Sequence, residues 1–125
     1  MVVENGWDLA IKEKRESDFV AILSDDELIA YGRLTAIQDK AFIGIGLKPF
    51  LCSKGIGGYV MNLLIEECRN RFPDCLIALE VRSFNTRAIR CYENIGFEIK
   101  RKYSKDTLTG NAEFYLMEYR PVNWR

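Results

Sequence analysis

Between residues 55 and 72 apolar side chains return every fourth position, at Ile56, Val60, Leu64, Cys68 and Phe72, with Met61 and Ile65 beside them. Asn62, Glu66, Glu67, Arg69 and Asn70 occupy the opposite side, so the stretch predicts an amphipathic helix that Pro73-Asp74 ends. A second, shorter helix is predicted over 86–95. Ala88, Ile89, Tyr92 and Ile95 lie on one face, Asn85 or Thr86 is the N-cap, and Gly96 is the C-terminal glycine.

Elsewhere the apolar runs are short and read as strands. Residues 19–23 and 28–37 flank a polar turn and predict a hairpin. Residues 41–47 predict a third strand that Lys48-Pro49 closes. Gly44 and Gly46 interrupt it, which suggests a bulge or the close approach of another group. Residues 75–81 are nearly all apolar, the pattern of a central strand covered on both faces. Residues 97–103 and 112–119, joined by a turn over 106–110, predict a closing hairpin. The order is βββ-α-β-α-ββ, an α+β domain around a mixed, mostly antiparallel sheet. Trp7, Leu9, Ile11 and the alternating charges up to Asp18 leave the first segment open between one short helix and a strand.

Size and charge narrow the function. At 125 residues the chain predicts a single domain over 1–125. Lys plus Arg equals Asp plus Glu at 18 each, so no overall field draws it to nucleic acid or to an anionic membrane. The dense basic run Lys100, Arg101, Lys102 and Lys105 reads as charges guarding a sheet edge. No apolar stretch is long enough to span a bilayer and residues 1–7 lack a signal peptide's regions, so a cytoplasmic protein is expected. The chain has no histidine, and its four cysteines form no C-x-x-C pair. Metal catalysis and His-dependent triads are therefore not expected, and Cys68 and Cys75 read as buried, reduced thiols.

Candidate chemistry begins at Lys54-Gly55-Ile56-Gly57-Gly58, where the third strand meets the long helix. Unpaired N–H groups and the positive dipole end of a helix start favour an anion, glycines let it approach, and Lys54 adds charge at the rim. Glycines at a helix start also serve ordinary packing, and that alternative stays open. The P-loop and dinucleotide fingerprints do not fit these residues.

Read with the second helix start, the chain resembles the GNAT superfamily of acyl-CoA-dependent N-acetyltransferases, here as an N-terminally short member. Cys52-Ser53-Lys54-Gly55-Ile56-Gly57 occupies the family's Gln/Arg-x-x-Gly-x-Gly/Ala frame, and Asn85, Ala88, Tyr92, Gly96 and Phe97 fall at the spacing of its second motif. The resemblance implies that N–H groups of Lys54, Gly55, Ile56, Gly57 and Gly58 hold the pyrophosphate of acetyl-CoA. Strands 41–47 and 75–81 would splay around the pantetheine, and Asn85 would hydrogen-bond it. The N–H of Leu47, freed by a bulge around Gly46, would meet the thioester oxygen, and Lys54, Arg87 and Arg90 would reach remaining phosphates; the alternative for each of the three is a solvated charge at a helix rim. Tyr92 sits where the family protonates the departing thiolate; the alternative is that it only packs.

Glu80 is the candidate base, an acid among apolar strand residues whose alternatives are solvent or pairing with Arg82 or Arg87. Cys52 departs from the family's Gln or Arg, which implies weaker CoA binding. The two helices that wall the family's acceptor site are reduced in residues 1–18, and a gap there would invite a homodimer. The activity implied is acetyl transfer from acetyl-CoA to a primary amine on a protein N-terminus, a lysine or a small molecule. A CoA-binding domain without turnover and a cofactor-free interaction domain are the alternatives.

Overall fold

The computed structural model describes residues 9–13, 19–24, 27–47 and 57–120. Along them run β1 (Leu9–Glu13), β2 (Phe19–Ser24), β3 (Glu27–Ile37), β4 (Lys40–Leu47), α1 (Gly57–Arg71), β5 (Leu76–Arg82), α2 (Thr86–Ile95), β6 (Phe97–Thr107) and β7 (Gly110–Tyr119). The strands form one sheet in the order β1-β2-β3-β4-β5-β7-β6. Every pairing is antiparallel except β4 with β5, whose crossover is α1. This is the mixed α+β sheet expected, with one strand more. The segment left open between helix and strand supplies β1, which pairs with β2 at the sheet's edge.

Alternation along the strands decides which face the helices cover. Ala30 and Leu34 of β3, Ala41 and Ile43 of β4, and Ile77, Leu79 and Val81 of β5 form one core with Val60, Met61, Leu64, Ile65 and Cys68 of α1 and Ile89 of α2. Their partners in the alternation, among them Arg33, Thr35, Phe42, Gly44 and Glu80, lie on the other face. Among the described residues no helix packs there. The expectation that 75–81 is covered on both faces is thus corrected, because Glu80 is exposed in the middle of β5.

Two glycines explain how closely the helices seat. Gly32 of β3 is buried, and a Cβ there would drive into the side chain of Leu64, itself fully buried on α1. Gly96 caps α2 with φ of 126°, a region side chains avoid, and its N–H donates to the carbonyls of Tyr92 at 3.1 Å and Glu93 at 3.2 Å. Its own carbonyl accepts the Arg120 N–H at 2.6 Å, tying the end of α2 to the end of β7. Tyr92, one turn before that cap, is held by it.

Two further expectations are corrected. The register of β3 with β4 runs unbroken from Ala30↔Leu47 to Ile37↔Lys40, so there is no bulge at Gly46. The closing hairpin is longer than predicted, because its strands continue to the pair Thr107↔Gly110 and leave a two-residue turn, with the Thr107 hydroxyl donating to the Gly110 carbonyl. As expected, the basic run lies on the edge strand, β6.

Cys68, Cys75 and Cys91 are free thiols, Cys68 buried and the other two half-buried, while Cys52 lies outside the described residues. Burial raises the Cys68 thiol from 9.0 to about 11, with Cys75 adding to the shift and Arg71 opposing it. Between those values the unfolded chain releases this proton and the native chain keeps it, so stability is full below pH 9 and falls as pH rises toward 11. The loss reaches about 3 kcal/mol. Denaturant midpoints across that window should fall less steeply in Cys68→Ala, and equal slopes would refute the assignment. Some slope remains in the variant, since burial also raises Cys91 and Tyr92.

Candidate active site

Only Lys40↔Leu76, Ala41↔Ile77 and Phe42↔Ala78 pair across β4 and β5. Beyond Phe42 and Ala78 the two strands continue to Leu47 and Arg82 without pairing, and a V-shaped gap opens in the sheet. The splay expected of 41–47 and 75–81 is therefore present. It arises from early termination of the parallel ladder rather than from a bulge. Leu47 sits at its far end, its backbone paired with Ala30 on the β3 side.

On the helix face the gap leads into a cavity of about 340 Å³ lined by Ile45, Gly57, Asn85, Arg87, Ala88, Cys91 and Tyr92. Both helix starts reach it, since Gly57 begins α1 and Asn85 caps α2. Neither first turn carries an acidic residue, so nothing there opposes an anion beside the dipole ends. An added Cβ at Gly57 or Gly58 meets nothing within 4 Å among the described residues. Among the described residues packing gives no reason for these two glycines, and a helix start without side chains at these positions lets an anion approach the backbone. Lys54, Gly55 and Ile56 lie outside the described residues.

Asn85 resolves the choice of N-cap, its side-chain oxygen accepting the Ala88 N–H at 3.2 Å. That bond engages Oδ1 and leaves the Nδ2 donors for a ligand. Arg87 lines the cavity, while Arg90 is exposed on α2 outside the lining. Tyr92 is half-buried, meets Phe97 edge-on at 6.1 Å between ring centres, and also lines the cavity. Burial pushes its phenol above 10.0, with Cys91 adding to the shift, so the hydroxyl keeps its proton through neutral pH. The packing and chemical readings of Tyr92 are therefore compatible.

Glu80 is in a different place. It lines a cavity of about 450 Å³ on the open face with Arg33, Thr35, Ile37, Phe42, Ile43, Gly44 and Lys105. Its direct contacts are polar, not the apolar strand environment expected. Lys105 Nζ lies 2.6 Å from its Oε1, and the Tyr103 hydroxyl donates to its Oε2. The pairings with Arg82 and Arg87 suggested by sequence are replaced by these contacts from β6. Arg82 instead lies over the rings of Phe84 and Phe114.

Tyr92 and Glu80 thus face the same gap from opposite sides of the sheet. Sequence reasoning missed Arg33, Tyr103, Lys105 and Cys91. Arg33 follows Tyr31 and precedes Thr35 at two-residue spacing, a signal for one strand face. Tyr103 and Lys105 carry the same signal, but their partner comes from a strand more than twenty residues away.

Comparison with known proteins follows this geometry. The profile of the Acetyltransferase (GNAT) family matches residues 3–97. The chain is 33% identical over 100 residues to the [Ribosomal protein bS18]-alanine N-acetyltransferase of Salmonella typhimurium, over 77% of this chain, and spans 66% of that protein's length. The crystal structure of the ribosomal-protein-S18-alanine N-acetyltransferase from Escherichia coli superposes with a TM-score of 0.68 at 22% identity, over 90% of this chain and 74% of that one. A spermidine N-acetyltransferase chimera from Vibrio cholerae gives 0.72 at 19% identity, over 81% and 66%.

Proposed function

This chain belongs to the Acetyltransferase (GNAT) family, and on that premise we propose that it moves an acetyl group from acetyl-CoA to a primary amine in the cytoplasm. The acceptor is a protein N-terminus, a lysine or a small-molecule amine. One observation carries the reading. Two acid-free helix starts, an open glycine and a protonated tyrosine converge on one cavity at the point where parallel strands separate. Among the described residues no group of histidine, cysteine or carboxylate side chains could hold a metal, and no helix is long and apolar enough to cross a membrane.

Acetyl-CoA supplies an acetyl carbon already activated as a thioester. Lys54, Gly55, Ile56, Gly57 and Gly58 hold its pyrophosphate on backbone N–H groups, Arg87 and Arg90 meet other phosphates, and Asn85 donates to the pantetheine. The Leu47 N–H donates to the acetyl oxygen, where negative charge gathers during transfer; no bulge is needed, because the Leu76 N–H bonds the Asp39 carbonyl and alternation from there turns the N–H groups of Ala41, Ile43, Ile45 and Leu47 toward the β5 side. The amine enters from the open face and gives up a proton to Glu80, directly or through water. Its nitrogen bonds the acetyl carbon as the carbon–sulfur bond breaks, and Tyr92 returns a proton to the departing sulfur. Glu80 suits the first role by standing where the gap meets solvent, and Tyr92 the second by lining the cavity on the helix face with its proton kept at neutral pH. A homodimer remains part of the proposal.

The test is a melting curve with acetyl-CoA, with dephospho-CoA and ATP as controls. Ligand at about one hundred times its dissociation constant adds about 2.7 kcal/mol of stability. A rise specific to acetyl-CoA, followed by free-thiol release with an amine, is the expected result. A rise without release leaves a CoA-binding domain, and no rise leaves an interaction domain.

A further inference from the structure

Among the described residues four lysine side chains stand beside carboxylates: Lys40 at 3.7 Å from Glu118, Lys100 at 3.3 Å from Glu98, Lys102 at 3.3 Å from Glu113 and Lys105 at 2.6 Å from Glu80. Pairing alone sets none of them apart, since ion pairs near the surface are common and weak. Their positions differ. Of the four, Lys105 lines the open-face cavity, together with Phe42, Ile43 and Gly44 of β4 and Glu80 of β5.

The route of this side chain fixes where its amine ends. Lys105 pairs with Ala112 of β7, whereas Glu80 pairs with Leu116 of the same strand. The lysine therefore runs along β7 over the ring of Phe114, its Nζ 4.8 Å from the ring centre, and reaches Glu80 Oε1. That direction leads away from the hairpin turn and toward Ala78, where β4 and β5 part. Glu80 lies past Ala78 and so borders the gap itself. The Tyr103 hydroxyl donates to the other carboxylate oxygen, which keeps Oε1 turned to the amine.

Resting on the reading that acetyl-CoA lies in this gap with Glu80 as base and Tyr92 as acid, we propose that Lys105 is itself an acceptor and that the protein acetylates its own Lys105 Nζ. An amine already hydrogen-bonded to the base, in the cavity through which an acceptor enters, needs no binding step. The ammonium gives one proton to Glu80, and its nitrogen bonds the acetyl carbon. The electron pair of the carbon–sulfur bond leaves on sulfur, which Tyr92 protonates. The nitrogen's second proton passes through solvent to restore Tyr92, and Glu80 returns the first to water. The products are Nε-acetyl-Lys105, CoA as its free thiol and one proton. The amide carries no charge, so the modification also removes the ion pair with Glu80 and leaves that carboxylate to Tyr103 and to an external amine.

The test incubates the full chain with saturating acetyl-CoA and no added amine, and follows each lysine by peptide mass spectrometry. Lys105 should gain its acetyl group at least about tenfold faster than Lys40, Lys100 and Lys102, whose carboxylate partners lie outside the cavity. The fraction modified per unit time should hold when the protein is diluted about tenfold, because the transfer is intramolecular. Glu80→Gln and Tyr92→Phe should each bring Lys105 down to the rate of the other three. Lys105→Arg should keep the acetyl-CoA melting shift and lose the amine-free thiol release. The proposal is overturned if Lys105 reacts no faster than the other three in protein that acetyl-CoA stabilises, if its rate per molecule falls on dilution, or if its lead survives in Glu80→Gln. Thiol release with an external amine in that protein would leave the acetyltransferase reading standing. Absence of the melting shift would instead defeat that reading, and this proposal with it.

Discussion

Tyr92→Phe is expected to lower kcat for acetyl transfer about a hundredfold while leaving the acetyl-CoA melting shift in place. The ring is retained, so its edge-on contact with Phe97 and its place against the core survive. Only the hydroxyl is lost, and with it the proton donor in the cavity that Asn85, Cys91 and Ile45 also line. The factor stands at the lower end for general acids because a thiolate leaves readily even without a proton. Burial raises the phenol above 10.0, so the wild-type rate should hold through pH 10 and fall beyond it, whereas the phenylalanine variant should show no such fall. A kcat within about threefold of wild type would reduce Tyr92 to a packing residue.

The contrast between Tyr92 and Glu80 shows how far the sequence could be read. Asn85, Ala88, Tyr92 and Gly96 were legible because they stand on one helix, whose period of 3.6 fixes which side chains share a face. That they serve one site with the glycine turn was what the family resemblance implied, and the structure brings Gly57 to the same cavity. β4 and β5 were legible as elements for the same local reason, since apolar runs and a breaking proline mark their limits. What lies between strands was not. The gap depends on where the ladder between β4 and β5 stops, and a run of apolar residues does not encode that point.

The surroundings of Glu80 failed for a related reason. Its neighbours in the chain are Leu79 and Val81, which suggested an apolar site, but alternation sends them to the core and Glu80 to the open face. Lys105 and Tyr103 reach it from β6 across the intervening β7, a contact that exists only after the sheet order is set. The bulge expected from two glycines in 41–47 was misread because glycine signals both distortion and close approach. At Gly44 the regular pairing with Arg33 excludes the first and leaves the second.

Close approach of another kind governs the seat of α1, and it yields the largest expected change in stability. Leu64→Ala should cost about 3 kcal/mol, because Leu64 is fully buried and its loss opens a cavity between α1 and β3. Gly32→Ala should cost about 2 kcal/mol for the opposite reason, since the new Cβ would stand 2.9 Å from Leu64 Cδ1 and 3.2 Å from its Cγ. Relief requires either a strained rotamer or movement of α1 away from the sheet. Such movement would shift Gly57 at the rim of the cavity, so the single variant should also lose part of its stabilisation by acetyl-CoA. Together the two substitutions are complementary, because the methyl at position 32 fills space that the Leu64 side chain leaves. The double variant should be no less stable than Leu64→Ala alone, giving a coupling of about 2 kcal/mol in denaturant melts, and it should regain the acetyl-CoA shift. Additive costs, within about 0.5 kcal/mol, would mean that Gly32 does not set the height of the helix over the sheet.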